Sequence, residues 1–128
     1  MNAAELRANP RLARWWVQDL NASPKLPLDD ASLDAACICV SIQYLQDPVA
    51  VLGEVRRALA PGGPVVISFS NRCFPTKAVA IWQALGGRDH QGLVALYLRE
   101  AGFSSVEARE PLPPGGPGDP LWVAVGRV

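Results

Sequence analysis

The sequence predicts a mixed α/β fold, a mostly parallel sheet ending in a carboxyl-terminal antiparallel hairpin, in a single domain over residues 1–128. Three features carry that expectation. Residues 33–41 form a nearly unbroken apolar run rich in Val, Ile and Cys, which suits a strand covered on both faces, as parallel sheets require. Val49, Leu52, Val55 and Leu59 then recur at helical spacing. Residues 64–70 supply a second buried strand, and strand, helix and strand joined by short links are the signature of a right-handed parallel crossover.

Taken in order, residues 3–8 predict a short helix with Asn2 as cap, stopped by Asn9 and Pro10. Trp15, Trp16 and Val17 are bulky β-formers running into polar residues, so a strand is expected there with Asp19 at its tip. Pro24, Pro27, Asp29 and Asp30 make residues 22–32 a loop. Asp47 caps the central helix, Pro48 is a favourable first helical residue, Glu54, Arg56 and Arg57 lie outside, and Pro61, Gly62 and Gly63 end it. Residues 77–85 and 89–101 pattern as two amphipathic helices parted by Gly86 and Gly87. Residues 104–109 and 121–128 read as strands around a loop rich in proline and glycine, and with no helix between them they pair antiparallel at the sheet edge.

Composition narrows the function classes. Hydrophobic residues make up 49% and charged residues 19%, the balance of a packed globular domain. Twelve basic residues meet twelve acidic ones, so no global field favours nucleic acid or an anionic bilayer. No apolar run approaches the roughly 20 residues that span a membrane, and residues 1–10 lack the order of a secretory signal. A cytoplasmic location is expected by default. Cys37, Cys39 and Cys73 cannot all pair, and the first two alternate on one face of an expected buried strand, where sulfur packs as a small hydrophobe. With a single histidine, His90, no metal site is expected, and its neighbours Arg88, Asp89 and Gln91 suit a helix start in water.

The motif order "QDLN…LPLDDASLDAACICVSIQYLQDP", "VLGEVRRALAPGGPVVISFSNRCFPTK" and "YLREAGFSSVEAREP" resembles the later half of the class I S-adenosylmethionine-dependent methyltransferases, type 11-like. The matching residues are Asp19, then Leu26, Pro27 and Leu28 with Ser32, Leu33 and Asp34, then Glu54, Arg57, Leu59, Pro61, Gly62 and Gly63. The resemblance implies a partial Rossmann-like methyltransferase sheet and S-adenosylmethionine as cofactor. It implies that Asp19 receives the adenine amino group and that Leu20 packs on the ring, and a carboxylate beside an apolar neighbour has the chemistry for both. The other reading of Asp19 is a turn cap.

The resemblance places Val40, Ser41, Gln43 and Tyr44 at the tip of the following strand and implies Val40, Ser41 and Tyr44 as further cofactor contacts, because ligands collect at the carboxyl ends of parallel strands. Simple packing with the hydroxyl in solvent is the other reading of Tyr44. Asn71 and Arg72, with Lys77 nearby, form a polar cluster at the same end of the sheet that could meet an acceptor substrate, or could cap the next helix. No catalytic base is assigned.

The family's opening strand, its glycine-rich turn and the acid that holds the ribose do not precede Met1, so a truncated domain is expected. In the usual sheet order the absent strands lie between the Trp15 strand and the residue 33–41 strand. The exposed edge then invites repair, either by the Trp15 strand sliding across or by a second chain forming a homodimer. Two functional readings follow, and turnover by these residues alone stays open between them. One is methyl transfer to a small-molecule acceptor, with catalysis from proximity and alignment. The other is a non-catalytic remnant or interaction module of the same fold. Another nucleotide-binding protein, such as a reductase fragment, has the missing glycine turn against it.

Overall fold

The computed structural model describes residues 3–70, 76–112, 115–116 and 118–128. Helix α1 (Ala3–Ala8) opens the chain, and Asn2, its expected cap, lies outside the described residues. Strand β1 (Ala36–Cys39) leads through a 3₁₀ turn (Ile42–Tyr44) to helix α2 (Pro48–Ala58), then strand β2 (Pro64–Phe69). Helices α3 (Ala80–Gln83) and α4 (Gly87–Glu100) precede the hairpin of β3 (Ser105–Leu112) and β4 (Leu121–Arg127).

The central unit forms for the reasons its sequence suggests. Asp47 Oδ1 accepts the Ala50 N–H at 3.1 Å, satisfying one of the free donors at the start of α2, and Pro48 supplies a helical φ without wasting a donor. Val51, Leu52, Val55 and Ala58 turn inward, and Gly62, at φ 79°, turns the chain back toward β2. Strands β1 and β2 pair in parallel, with Ala36 opposite Val65 and Ile38 opposite Ile67. Strand β4 adds antiparallel to the far side of β2, and β3 pairs antiparallel outside β4, giving the order β1-β2-β4-β3. The α/β class and the carboxyl-terminal hairpin are as expected.

Three expectations are corrected. Residues 15–17 form no strand, so the parallel part of the sheet is the single β1–β2 pair, and no strand slides across to β1. The expected strand over 33–41 contracts to Ala36–Cys39, with Leu33 contributing an isolated parallel bridge to Leu59. It is covered on one face only: Ala36 and Ile38 are half-buried, whereas Cys37 and Cys39 are exposed thiols. The physical reason is the layering. Alternate residues of β2 (Val65, Ile67, Phe69) and β4 (Trp122, Ala124, Gly126) are buried on the face that shares one core with Leu52 and Val55 of α2 and Val94 and Leu98 of α4, and the described residues give the opposite face no equivalent cover.

The core is aromatic at its centre. Phe69 meets Trp82 edge to face, with centroids 5.2 Å apart, and lies over Trp122 at 6.3 Å. His90 belongs to this cluster and is not at the surface: its ring stacks on Trp82 at 3.8 Å and is 6% exposed. Its Nε2 lies 2.7 Å from the Trp82 carbonyl, which can only accept, so Nε2 carries the hydrogen. His90 stands in the first turn of α4, as its neighbours suggest, but not in water: it lies on the same inward stripe as Val94 and Leu98.

Candidate functional site

The candidate site lies between the 18–26 segment and the outer edge of β1. In parallel pairing, alternate residues direct their backbone groups to opposite edges. The Val40 N–H bonds to the Ser68 carbonyl at 2.8 Å, which turns the even-numbered residues of β1 toward β2. Cys37 and Cys39 therefore present their N–H and C=O groups to the open side, where no backbone partner exists among the described residues. An open cavity of about 620 Å³ runs along this edge. Its walls include Asp19, Leu20 and Leu26 on one side, Cys37 and Cys39 on the other, and Ser41 and Tyr44 at the strand tip.

The 16–25 segment has no strand ladder, so side chains hold its shape. Gln18 is the staple: its Oε1 accepts from Trp16 Nε1 at 3.0 Å, and its Nε2 donates to the Ser23 and Lys25 carbonyls at 2.8 and 2.7 Å. Asp19 turns the chain, since its Oδ1 accepts the Asn21 N–H at 3.0 Å and its carbonyl accepts from Ala22 and Ser23. Both readings of Asp19 are thus compatible: one carboxylate oxygen caps the turn while the residue lines the cavity.

Asn21 ties this turn to the strand tip. Its Nδ2 donates to the Tyr44 carbonyl at 3.0 Å, and its Oδ1 accepts the Gln46 N–H at 2.9 Å. Sequence reasoning missed Asn21 because its partners lie 23 and 25 residues away, with no local pattern to announce them.

A second clamp fixes the cavity's lower wall. Arg57 on α2 donates through Nη1 to Asp30 at 2.6 Å, through Nε to Glu54 Oε2 at 2.8 Å and through Nη2 to the Leu26 carbonyl at 3.1 Å. Glu54 Oε1 in turn accepts the Leu26 N–H at 2.8 Å. Leu26 therefore has both backbone groups satisfied by one helix face, which holds it against the cavity.

The Arg57 hydrogen bond, with the Leu26 N–H adding to it, holds the Glu54 carboxyl below its ordinary value of 4.5 against the opposing effect of burial. A depressed acid contributes stability that is complete above the unfolded value and is lost as pH falls through the folded one. Wild type should therefore melt about 2–4 °C above Glu54→Gln at pH 7, a gap that closes as the pH drops below about 4.5. A gap independent of pH between 7 and 3 would show that the carboxylate charge contributes nothing.

Of the residues the sequence proposed, Asp19, Leu20, Ser41 and Tyr44 meet at this cavity. Val40 does not line it: its side chain is 44% exposed, and its backbone sits at φ 47°, a strained conformation for a β-branched residue. Gln43, buried at the same strand tip, donates to the Val40 carbonyl at 3.4 Å and leaves its Oε1 without a partner. Asn71 and Arg72 lie outside the described residues, as does Cys73. Lys77 is exposed. No group of three His, Cys, Asp or Glu side chains gathers among the described residues, and no helix there is long and apolar enough to cross a membrane.

Comparison with known proteins adds family and fold. A family model described as a methyltransferase domain matches residues 1–67. An S-adenosylmethionine-dependent methyltransferase from Aquifex aeolicus superposes with a TM-score of 0.62 at 18% identity, over 90% of this chain and 54% of its own. Another from Archaeoglobus fulgidus superposes at 0.60 with 12% identity, over 87% of this chain and 66% of its own. An uncharacterized 37.1 kDa protein in transposon Tn4556 of Streptomyces fradiae is 45% identical over 42 residues, 33% of this chain and 12% of that protein. The chain therefore spans between about half and two thirds of the length of these solved structures and a small part of the transposon protein.

Proposed function

We propose, from the premise that this chain belongs to the methyltransferase-domain family, that its edge cavity takes S-adenosylmethionine and serves methyl transfer to a small-molecule acceptor. The observation that carries this reading is the convergence of Asp19, Leu20, Ser41 and Tyr44, from two separate segments, on one cavity.

The donor set fits the adenosine end of that cofactor. Asp19 uses Oδ1 for its own turn, and Oδ2 is left to accept from an exocyclic amine. Leu20 and Leu26 offer apolar cover for a ring. Ser41 and Tyr44 supply hydroxyl groups at the other end, and Asn21 keeps the two walls in register. When bound, the cofactor supplies an electrophilic methyl group on sulfur. The chain's task is to hold, orient and exclude water, and such alignment accounts for much of a displacement's acceleration.

One observation favours the second reading, a non-catalytic interaction module. No glycine among the described residues lines the cavity, so none of them lets backbone approach a ligand as closely as the family's glycine turn does. On that reading the open edge of β1 pairs with a further strand, and a second copy of the chain is the simplest source.

Calorimetry with S-adenosylmethionine and with S-adenosylhomocysteine separates the two. The methyltransferase reading expects binding heat and a raised Tm, and an affinity about tenfold weaker in Asp19→Ala, the loss of one hydrogen bond to a charged acceptor. Neither heat nor thermal stabilisation at millimolar ligand would remove cofactor binding from this chain.

A further inference from the structure

We infer that Cys37 and Cys39 form a two-thiolate site for one soft, monovalent d¹⁰ metal ion of the copper(I) class, set on the cavity wall at the open edge of β1. Both thiols are exposed, both line the cavity, and both lie on the same face of a four-residue strand. The inference does not depend on what else the cavity binds.

Strand geometry selects a bridging atom over a direct bond. Two residues along a strand span about 6.7 Å, close to the far limit of about 6.8 Å between the Cα atoms of a disulfide. The two side chains also leave the strand in parallel rather than toward one another. A disulfide between them would be strained. With the roughly 2.3 Å of a zinc–thiolate bond as a guide to metal–sulfur reach, one ion bound in line by two sulfurs needs them under about 5 Å apart, which two parallel thiols reach by leaning together.

The same neighbourhood selects the ion. Thiolates are soft donors that favour copper(I). Zinc takes four ligands in structural sites and three plus water in catalytic ones, and no third His, Cys, Asp or Glu joins the pair among the described residues. A d¹⁰ monovalent ion is satisfied by two ligands in line. Binding releases two thiol protons to the buffer and forms two metal–sulfur bonds, with no change in oxidation state. The complex carries one negative charge and stays at the solvent, where its desolvation is small.

The test uses the full chain in a Cys73→Ser background, with copper(I) supplied without oxygen and bicinchoninate competing for it. One ion per chain should be withdrawn from the chelator. Adding Cys37→Ser or Cys39→Ser should weaken the affinity at least 100-fold while the circular dichroism spectrum stays unchanged. Alkylation of wild-type protein read by mass spectrometry supplies the second measurement: saturating copper(I) should protect Cys37 and Cys39 together. Affinity within threefold after removing either thiol, alkylation of both thiols at the copper-free rate, or a Cys37–Cys39 disulfide forming readily in air would overturn the site.

Discussion

Replacing Phe69 by alanine should destabilise the protein by about 3–5 kcal/mol, the usual range for deleting a buried aromatic ring. Phe69 is fully buried at the end of β2 and touches three other rings: Trp82 edge to face, Trp122 in a stack, and His90 edge to face at 6.4 Å. Its removal leaves a cavity that these rings cannot all collapse to fill, because each is fixed by a different element: Trp82 by α3, His90 by α4 and Trp122 by β4. A domain of this size has a total stability of about 5–15 kcal/mol, so the variant should unfold at a much lower urea concentration. Phe69→Leu, which keeps most of the volume, should lose less than half as much. Equal losses in the two variants, or a loss below about 1 kcal/mol in Phe69→Ala, would mean the rings are not the centre of the core.

Gly63→Ala should cost about 2–3 kcal/mol, although it adds only one methyl group. A Cβ at Gly63 would stand 2.9 Å from the Ala60 carbonyl oxygen and 3.0 Å from that of Asp34. Both obstacles are backbone, and neither can rotate away. The Ala60 carbonyl already accepts the Gly63 N–H, and Gly63 in turn accepts from Val128 at 3.2 Å, so a shift disturbs the join between the α2 exit and the end of β4. Gly53→Ala is the matched control. It lies inside α2 with nothing within 4 Å of its added methyl, and should stabilise by about 0.5–1 kcal/mol through helix propensity. Urea unfolding of the two variants should therefore move in opposite directions; a shift of the same sign would refute the steric account.

The parts of the fold with strong local pattern are legible in the sequence. Helix α2 announces itself by Asp47, Pro48 and the spacing of its apolar residues, β2 by its run of Val65, Val66 and Ile67, and β4 by an apolar stretch that includes Trp122, Val123 and Val125. Trp15 and Trp16 misled because aromatic preference for strands is a preference for a packed, pleated neighbour, and the neighbour is absent here. Instead the two rings lie beneath the guanidinium groups of Arg7 and Arg14, at 5.8 and 5.4 Å, and Trp16 bonds to Gln18. His90 was readable in principle. It stands four and eight residues before Val94 and Leu98, an inward stripe that the polar residues beside it obscured. At the candidate cavity, motif order already groups Asp19, Leu20, Ser41 and Tyr44, whereas Gln18 and Asn21 act through contacts that no spacing rule encodes.

The strand order has a consequence for biosynthesis. Strand β4 is the last of the four to leave the ribosome, yet it occupies the interior of the sheet between β2 and β3. Until β4 has been synthesised, β2 carries one naked flank, β3 has no strand to join, and Trp122 is missing from the ring cluster. Consolidation of this sheet is therefore held back while earlier segments wait as loosely collapsed nascent chain, the interval in which chaperones matter most.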